Sequence, residues 1–258
     1  MTEVATPAPV DGTHGTETRD PARPPAAGKR DVWLVFWIVP AFYAAFGVIF
    51  FALARVMPPP RPDITQSQMV DFFSQHATTI QIGFCALILI VGGAGIANGI
   101  VVFHMKRMTS GSVMAYAYMG GMAVGALPGC LLVACLFLVA TFRPDRDPEQ
   151  LALLYDLGLL SYVGSLGCFT AAYFAMAVAI LYDRNEIFPK WLAYVSVWQI
   201  VTEVMAVAVF VSKAGAFAWN GSISFWMGTV IFGVWLSSVI MFLKRATQTQ
   251  PTDEAPLP

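Results

Sequence analysis

Charge is what this chain has least of. Only 12% of its 258 residues are Asp, Glu, Lys or Arg, about half the share of an ordinary soluble domain, and that deficit excludes a conventional water-facing surface. The few charges nearly cancel, to a net −1, so no basic stripe or acidic face marks a nucleic acid or polyanion as a partner. Histidine is scarcer still. His14, His76 and His104 are the only three, and an apolar run separates the last two by roughly 40 Å at 1.5 Å per helical residue, too far to ligate one haem. There is no HExxH motif and no histidine box for a di-iron centre, and Ser161, Ser165, Ser237 and Ser238 have no histidine partner in a span. Neither metal nor cofactor is expected, and an enzyme is the disfavoured reading. Cys85, Cys130, Cys135 and Cys168 all lie inside apolar runs, where a disulfide framework for an exported domain would not be placed. They read as small packing residues.

What is abundant is apolar sequence, 57% of the chain, gathered in six runs at about 32–57, 79–103, 113–142, 150–182, 191–212 and 223–243. Each is long enough to cross the roughly 30 Å hydrocarbon core as a helix, and in lipid every backbone amide must be satisfied internally. The expected fold is therefore all-α, a polytopic transmembrane bundle of about six spans. The first run begins too late and runs too long for a cleavable signal peptide, with a bend expected near Pro40. Residues 1–31 and 244–258 are polar and Pro-containing and read as disordered tails.

Lys and Arg in the short connectors set the orientation. Lys29, Arg30, Lys106, Arg107, Arg184, Lys190, Lys244 and Arg245 collect on one side with the tail arginines, against Arg55, Arg61, Arg143, Arg146 and Lys213 on the other. Both tails are therefore expected in the cytoplasm. On the outer side, Thr65 and Gln68 have the form of a capping box, and Met69, Phe72, Phe73 and Ala77 recur at helical spacing, which predicts a short amphipathic helix at the interface before the second span. Asp147-Pro148-Glu149-Gln150 predicts a capped start for the fourth span. Ala216-Phe217-Ala218-Trp219-Asn220-Gly221 predicts a tight outer hairpin anchored at headgroup depth.

Among candidate functional residues, Glu203 stands out near the middle of the fifth span, with Gln199 four residues earlier on the same face. A carboxylate at that depth is costly; it serves a proton relay, ion site or ligand contact, or it is hydrogen-bonded to a neighbouring helix and holds register. The first use would suit a small secondary transporter or proton-coupled carrier. Asp156, with Glu149 on the same face, is expected to pair with Arg143 or Arg146 and close the outer mouth. Gly95 and Gly99 on the second span and Gly121, Gly125 and Gly129 on the third form small-residue rows that predict contact between those spans, or else a homo-oligomer interface. Pro128 and Asn98 beside the rows predict a kink and a small gap.

The motifs Phe142-Arg143-Pro144-Asp145-Arg146-Asp147-Pro148-Glu149, Asp156-Leu157-Gly158, Phe188-Pro189-Lys190-Trp191-Leu192 and Gly215-Ala216-Phe217-Ala218-Trp219-Asn220-Gly221 resemble those of a large group of uncharacterised bacterial multi-span membrane proteins. The resemblance spans about 32–243. It implies this topology and a bacterial inner-membrane location, and it carries no assigned activity. Beyond the bilayer itself, the expected partner is a lipophilic small molecule, a lipid or a membrane protein. It would meet the outer face at Arg143, Arg146, Trp219 and Asn220, where aromatic and arginine side chains suit recognition.

Overall fold

Helices form because the apolar runs have no water to satisfy their backbone. A computed structural model describes residues 28–143 and 145–250, and no strand occurs among them. Six helical stretches are long and apolar enough to cross a bilayer: Arg30–Leu53, Gln66–Ile90, Ser112–Phe142, Pro148–Tyr182, Lys190–Phe210 and Ser222–Gln248. The chain is a multi-pass membrane protein.

Few of these spans are uninterrupted α-helix. The first is α1 (Gly28–Val48) closed by a π turn at Ile49–Leu53, and α1 continues through Pro40. The second is α2 (Gln66–Ile90), followed after Val91-Gly92 by α3 (Gly93–Lys106). A π turn at Leu127–Leu132, holding Pro128, separates α4 (Ser112–Ala126) from α5 (Val133–Phe142). A 3-10 turn at Ser165–Phe169 separates α6 (Pro148–Gly164) from α7 (Thr170–Tyr182). The fifth span is α8 (Lys190–Ala206) with a 3-10 end at Val207–Phe210, and the sixth is a π turn at Ser222–Met227 followed by α9 (Gly228–Gln248).

Two boundaries differ from the sequence expectation. No separate interfacial helix precedes the second span: the capping box forms, with Thr65 N–H donating to Gln68 Oε1 at 2.9 Å, but α2 then continues to Ile90. Nothing between Gln75 and Ile80 is Gly or Pro, so the amphipathic stretch and the apolar run share one rod. The break comes instead at Gly92-Gly93, where amides reach back three residues, Ala94 to Val91 at 3.0 Å and Gly95 to Gly92 at 3.0 Å. At the other end α9 runs on to Gln248, past the expected stop at 243, because no breaker occurs before Pro251. Most of the two expected tails lies outside the described residues.

Contacts join α1 to α3, α3 to α4, α4 to α7, α7 to α8, α8 to α9 and α9 back to α1. At this level the spans follow one another round a ring, while further along α2 packs on both α5 and α6. Six crossings return the chain to the end where it began; this is called the proximal end and the opposite one the distal end. Buried apolar side chains form two clusters. The proximal one includes Phe36, Met105, Tyr118, Met176, Leu192 and Trp235; the distal one includes Phe50, Phe84, Phe137, Tyr155, Val163 and Trp219.

Candidate functional site in the membrane interior

One face of α8 carries Ser196, Gln199 and Glu203, a spacing of three and then four that stacks them on one side of the helix. All are buried, Gln199 to 1% exposure and Glu203 to 4%. Ser196 is spent on structure: its Oγ donates to Leu192 O at 3.0 Å and accepts from Trp235 Nε1 at 3.0 Å. The other two are not. Gln199 Nε2 donates to Glu203 Oε1 at 2.5 Å, while Gln199 Oε1 and Glu203 Oε2 have no hydrogen-bond partner among the described residues. A buried acceptor left without a donor costs about 1–3 kcal/mol, more when charged, so two of them on one turn of a helix single this place out.

Both side chains line a cavity of about 170 Å³. It sits where the two clusters meet, for Tyr43, Met122 and Tyr173 on its wall pack on the proximal cluster and Phe46, Cys130 and Leu166 pack on the distal one. Every span contributes a wall residue: Phe42, Asn98, Gly129, Phe169, Glu203 and Phe232 represent the six in order. The departures from α geometry fall at the same level. Val91, Gly129, Cys130, Phe169 and Phe225 lie in the turns that interrupt four different stretches of helix or open them, and all line the cavity. Interruptions of this kind cluster at functional sites. The gap expected beside Pro128 and Asn98 is part of this cavity, and Asn98 is satisfied there, accepting from the Tyr118 hydroxyl at 2.9 Å and donating to Ala94 O at 2.8 Å.

The glycine rows of the second and third spans do not meet. A Cβ at Gly121 would lie 2.7 Å from Ala172 N, at Gly125 2.5 Å from the Phe169 ring and at Gly129 3.3 Å from Ser165 Oγ; this row receives the fourth span, whose small and aromatic residues fit it. Gly95 and Gly99 have open space where a Cβ would be. The second and third spans pack instead around Asn98 and Tyr118.

The distal candidates serve another purpose. Trp219 is 5% exposed and turned into the protein: its Nε1 donates to Pro60 O at 2.6 Å and its ring meets that of Tyr155 with centroids 6.0 Å apart. Tyr155 donates to Arg61 O at 2.9 Å and stacks edge-on against Phe72 at 5.9 Å. These contacts tie three distal segments together. Asp147 Oδ1 caps the fourth span by accepting from Glu149 N at 2.8 Å. Among the described residues Asp156 forms no ion pair with Arg143 or Arg146: Arg146 donates to Gln150 Oε1 at 3.3 Å, Arg143 is exposed, and Lys213 is the cation whose field reaches Asp156. Asn220 is half-buried beside Trp219. None of these residues lines the cavity.

At the proximal end sequence reasoning missed Asp183, whose position just after a span made it look like an ordinary connector charge. It is 1% exposed. Oδ1 accepts from Thr109 N, Thr109 Oγ1 and Asn185 N, each at 3.0 Å, and Oδ2 from Ile187 N at 2.9 Å. Burial pushes its pKa up, but the donors outweigh burial and hold it below the usual carboxylate range. Lys190 Nζ caps the carbonyl end of α7, donating to Ile180 O at 2.7 Å, Leu181 O at 3.0 Å and Asp183 O. This knot joins two connectors, and both oxygens of Asp183 are satisfied in it.

No group of three or more His, Cys, Asp or Glu able to hold a metal occurs among the described residues. No protein-family model, curated protein or solved structure matches the chain.

Proposed function

We propose that this is a non-enzymatic protein of a bacterial inner membrane, with both chain ends cytoplasmic, that binds a small lipophilic molecule in the cavity between its two packing clusters. The observation that carries the reading is the pair of orphaned acceptors, Glu203 Oε2 and Gln199 Oε1, on the wall of an otherwise apolar cavity. Apolar walls with a few convergent polar groups are the common form of a small-molecule site. The motif resemblance supports the location, and the lysines and arginines gathered at the proximal connectors support the orientation. The ties made by Trp219 and Tyr155 support moving the ligand inward from the distal surface, where Arg143 and Arg146 remain suited to anionic headgroups.

Native mass spectrometry of the protein extracted with its own lipid tests this. A small-molecule adduct is expected on the wild type and not on Ala126→Phe, which fills the cavity from α4, with both variants melting at similar temperatures. A wild type without adduct, or an adduct at equal occupancy on a folded Ala126→Phe, would remove the proposal.

A further inference from the structure

The chemistry of the cavity wall narrows the class of ligand, given the reading above that the cavity is a ligand site. Among the described residues Glu203 is the only acid on the wall, and no Lys, Arg or His lines it. Its Oε1 already accepts from Gln199, which leaves two acceptors on one turn of α8, one of them belonging to a carboxylate, with nothing to receive. A buried carboxylate with no compensating charge is strongly destabilising, and no described residue on the wall supplies a cation. Protonation would not complete the site. With the Gln199 amide turned over, a protonated Glu203 would donate to Gln199 Oε1, but the other Glu203 oxygen and the Gln199 NH2 would still lack partners.

The remaining wall is aromatic. Phe42, Phe46, Phe169, Phe225 and Phe232 line it, together with Tyr43 and Tyr173. Ring faces attract ammonium groups within about 6 Å, the basis of aromatic cages for alkylammonium ions. An inorganic cation would want six or more oxygens in the manner of calcium, whereas Phe, Met, Ala and Leu side chains make up much of this wall. A neutral hydrocarbon would leave both orphaned. Size sets the last limit: a dry cavity of about 150 Å³ holds a molecule the size of benzene, and this one is about 170 Å³. We infer that the cavity takes a small organic ammonium ion of about one ring, its N–H groups donating to Glu203 Oε2 and Gln199 Oε1 and its apolar body lying against the phenylalanines.

The test is calorimetric titration of the full chain in lipid nanodiscs at pH 7 with benzylammonium and, separately, with its uncharged near-isostere benzyl alcohol. Benzylammonium is expected to bind one to one and at least tenfold more tightly than the alcohol. Glu203→Gln should weaken benzylammonium at least tenfold and leave the alcohol within twofold, and Ala126→Phe should abolish saturable binding of both. Equal affinity for the two probes, lost in Ala126→Phe, overturns the ammonium assignment while the cavity keeps its ligand role. Benzylammonium binding that neither variant changes places it elsewhere and overturns the inference, as does no saturable binding of benzylammonium to the wild type. If Glu203→Gln melts early, the wild-type ratio and Gln199→Leu, expected to weaken benzylammonium at least threefold and spare the alcohol, decide the matter.

Discussion

Asp183 and Glu203 are both almost wholly buried acids, yet the first has four donors and the second has one. The difference separates a structural acid from a receptive one. Hydrogen bonds to a charged acceptor are worth about 1.5–3 kcal/mol each, so Asp183→Asn, which loses the charge and turns one acceptor into a donor facing Ile187 N–H, should cost about 2–4 kcal/mol in detergent unfolding. The pH dependence follows from the depressed pKa. A carboxyl with a folded pKa below its unfolded value of about 3.9 contributes its full stability above roughly pH 5 and loses it as pH falls through the folded value. Melting temperatures from pH 7 down to pH 3 should therefore drop for the wild type and change less for Asp183→Asn; parallel curves would show that Asp183 does not carry the effect.

At the scale of elements, lipid removes the hydrophobic drive between helices and leaves close approach to decide which faces meet. Gly121 and Gly99 look alike in sequence, and the bundle treats them oppositely. A methyl at Gly121 would press on the backbone of Ala172, whereas one at Gly99 meets nothing. Gly121→Ala is expected to destabilise by about 1–3 kcal/mol, the usual range for overpacking, and Gly99→Ala to stay within about 1 kcal/mol of the wild type. Unfolding in mixed micelles reads both, and equal effects would contradict the assigned third-to-fourth contact. The turn chemistry was legible because caps are local: Thr65 with Gln68, and Asp147 with Pro148, signal their helices within four residues. The interruptions at Leu127–Leu132 and Ser165–Phe169 were less so. Pro128 announces the first, whereas nothing in Ser165-Leu166-Gly167-Cys168-Phe169 demands a 3-10 turn until Phe169 has to fit against Gly125.

For the whole molecule, a ring of six spans leaves an axis that side chains must fill, and here they fill it from both ends and stop short in the middle. The six crossings also bring the two ends of the described residues to one side, and the lysine and arginine distribution predicts that this side faces the cytoplasm. Protease added outside intact cells should spare both chain ends, while tags inserted at 144–146 should be cleaved; the reverse pattern would invert the topology.

The number of spans, the all-helical class and the carboxylate near the middle of the fifth span were determined by the sequence alone, because hydrocarbon sorts residues by polarity and backbone bonding within a helix is local. Glu203 and Gln199 were visible as a pair for the same reason, lying one turn apart on one helix. What faces them was not. The cavity draws its wall from residues as far apart as Phe42 and Phe232, the glycine row of the third span chose the fourth rather than the second, and Trp219 turned inward to Pro60. Each of these depends on which helices stand side by side, and that is settled by shape complementarity across the bundle, which no local pattern records.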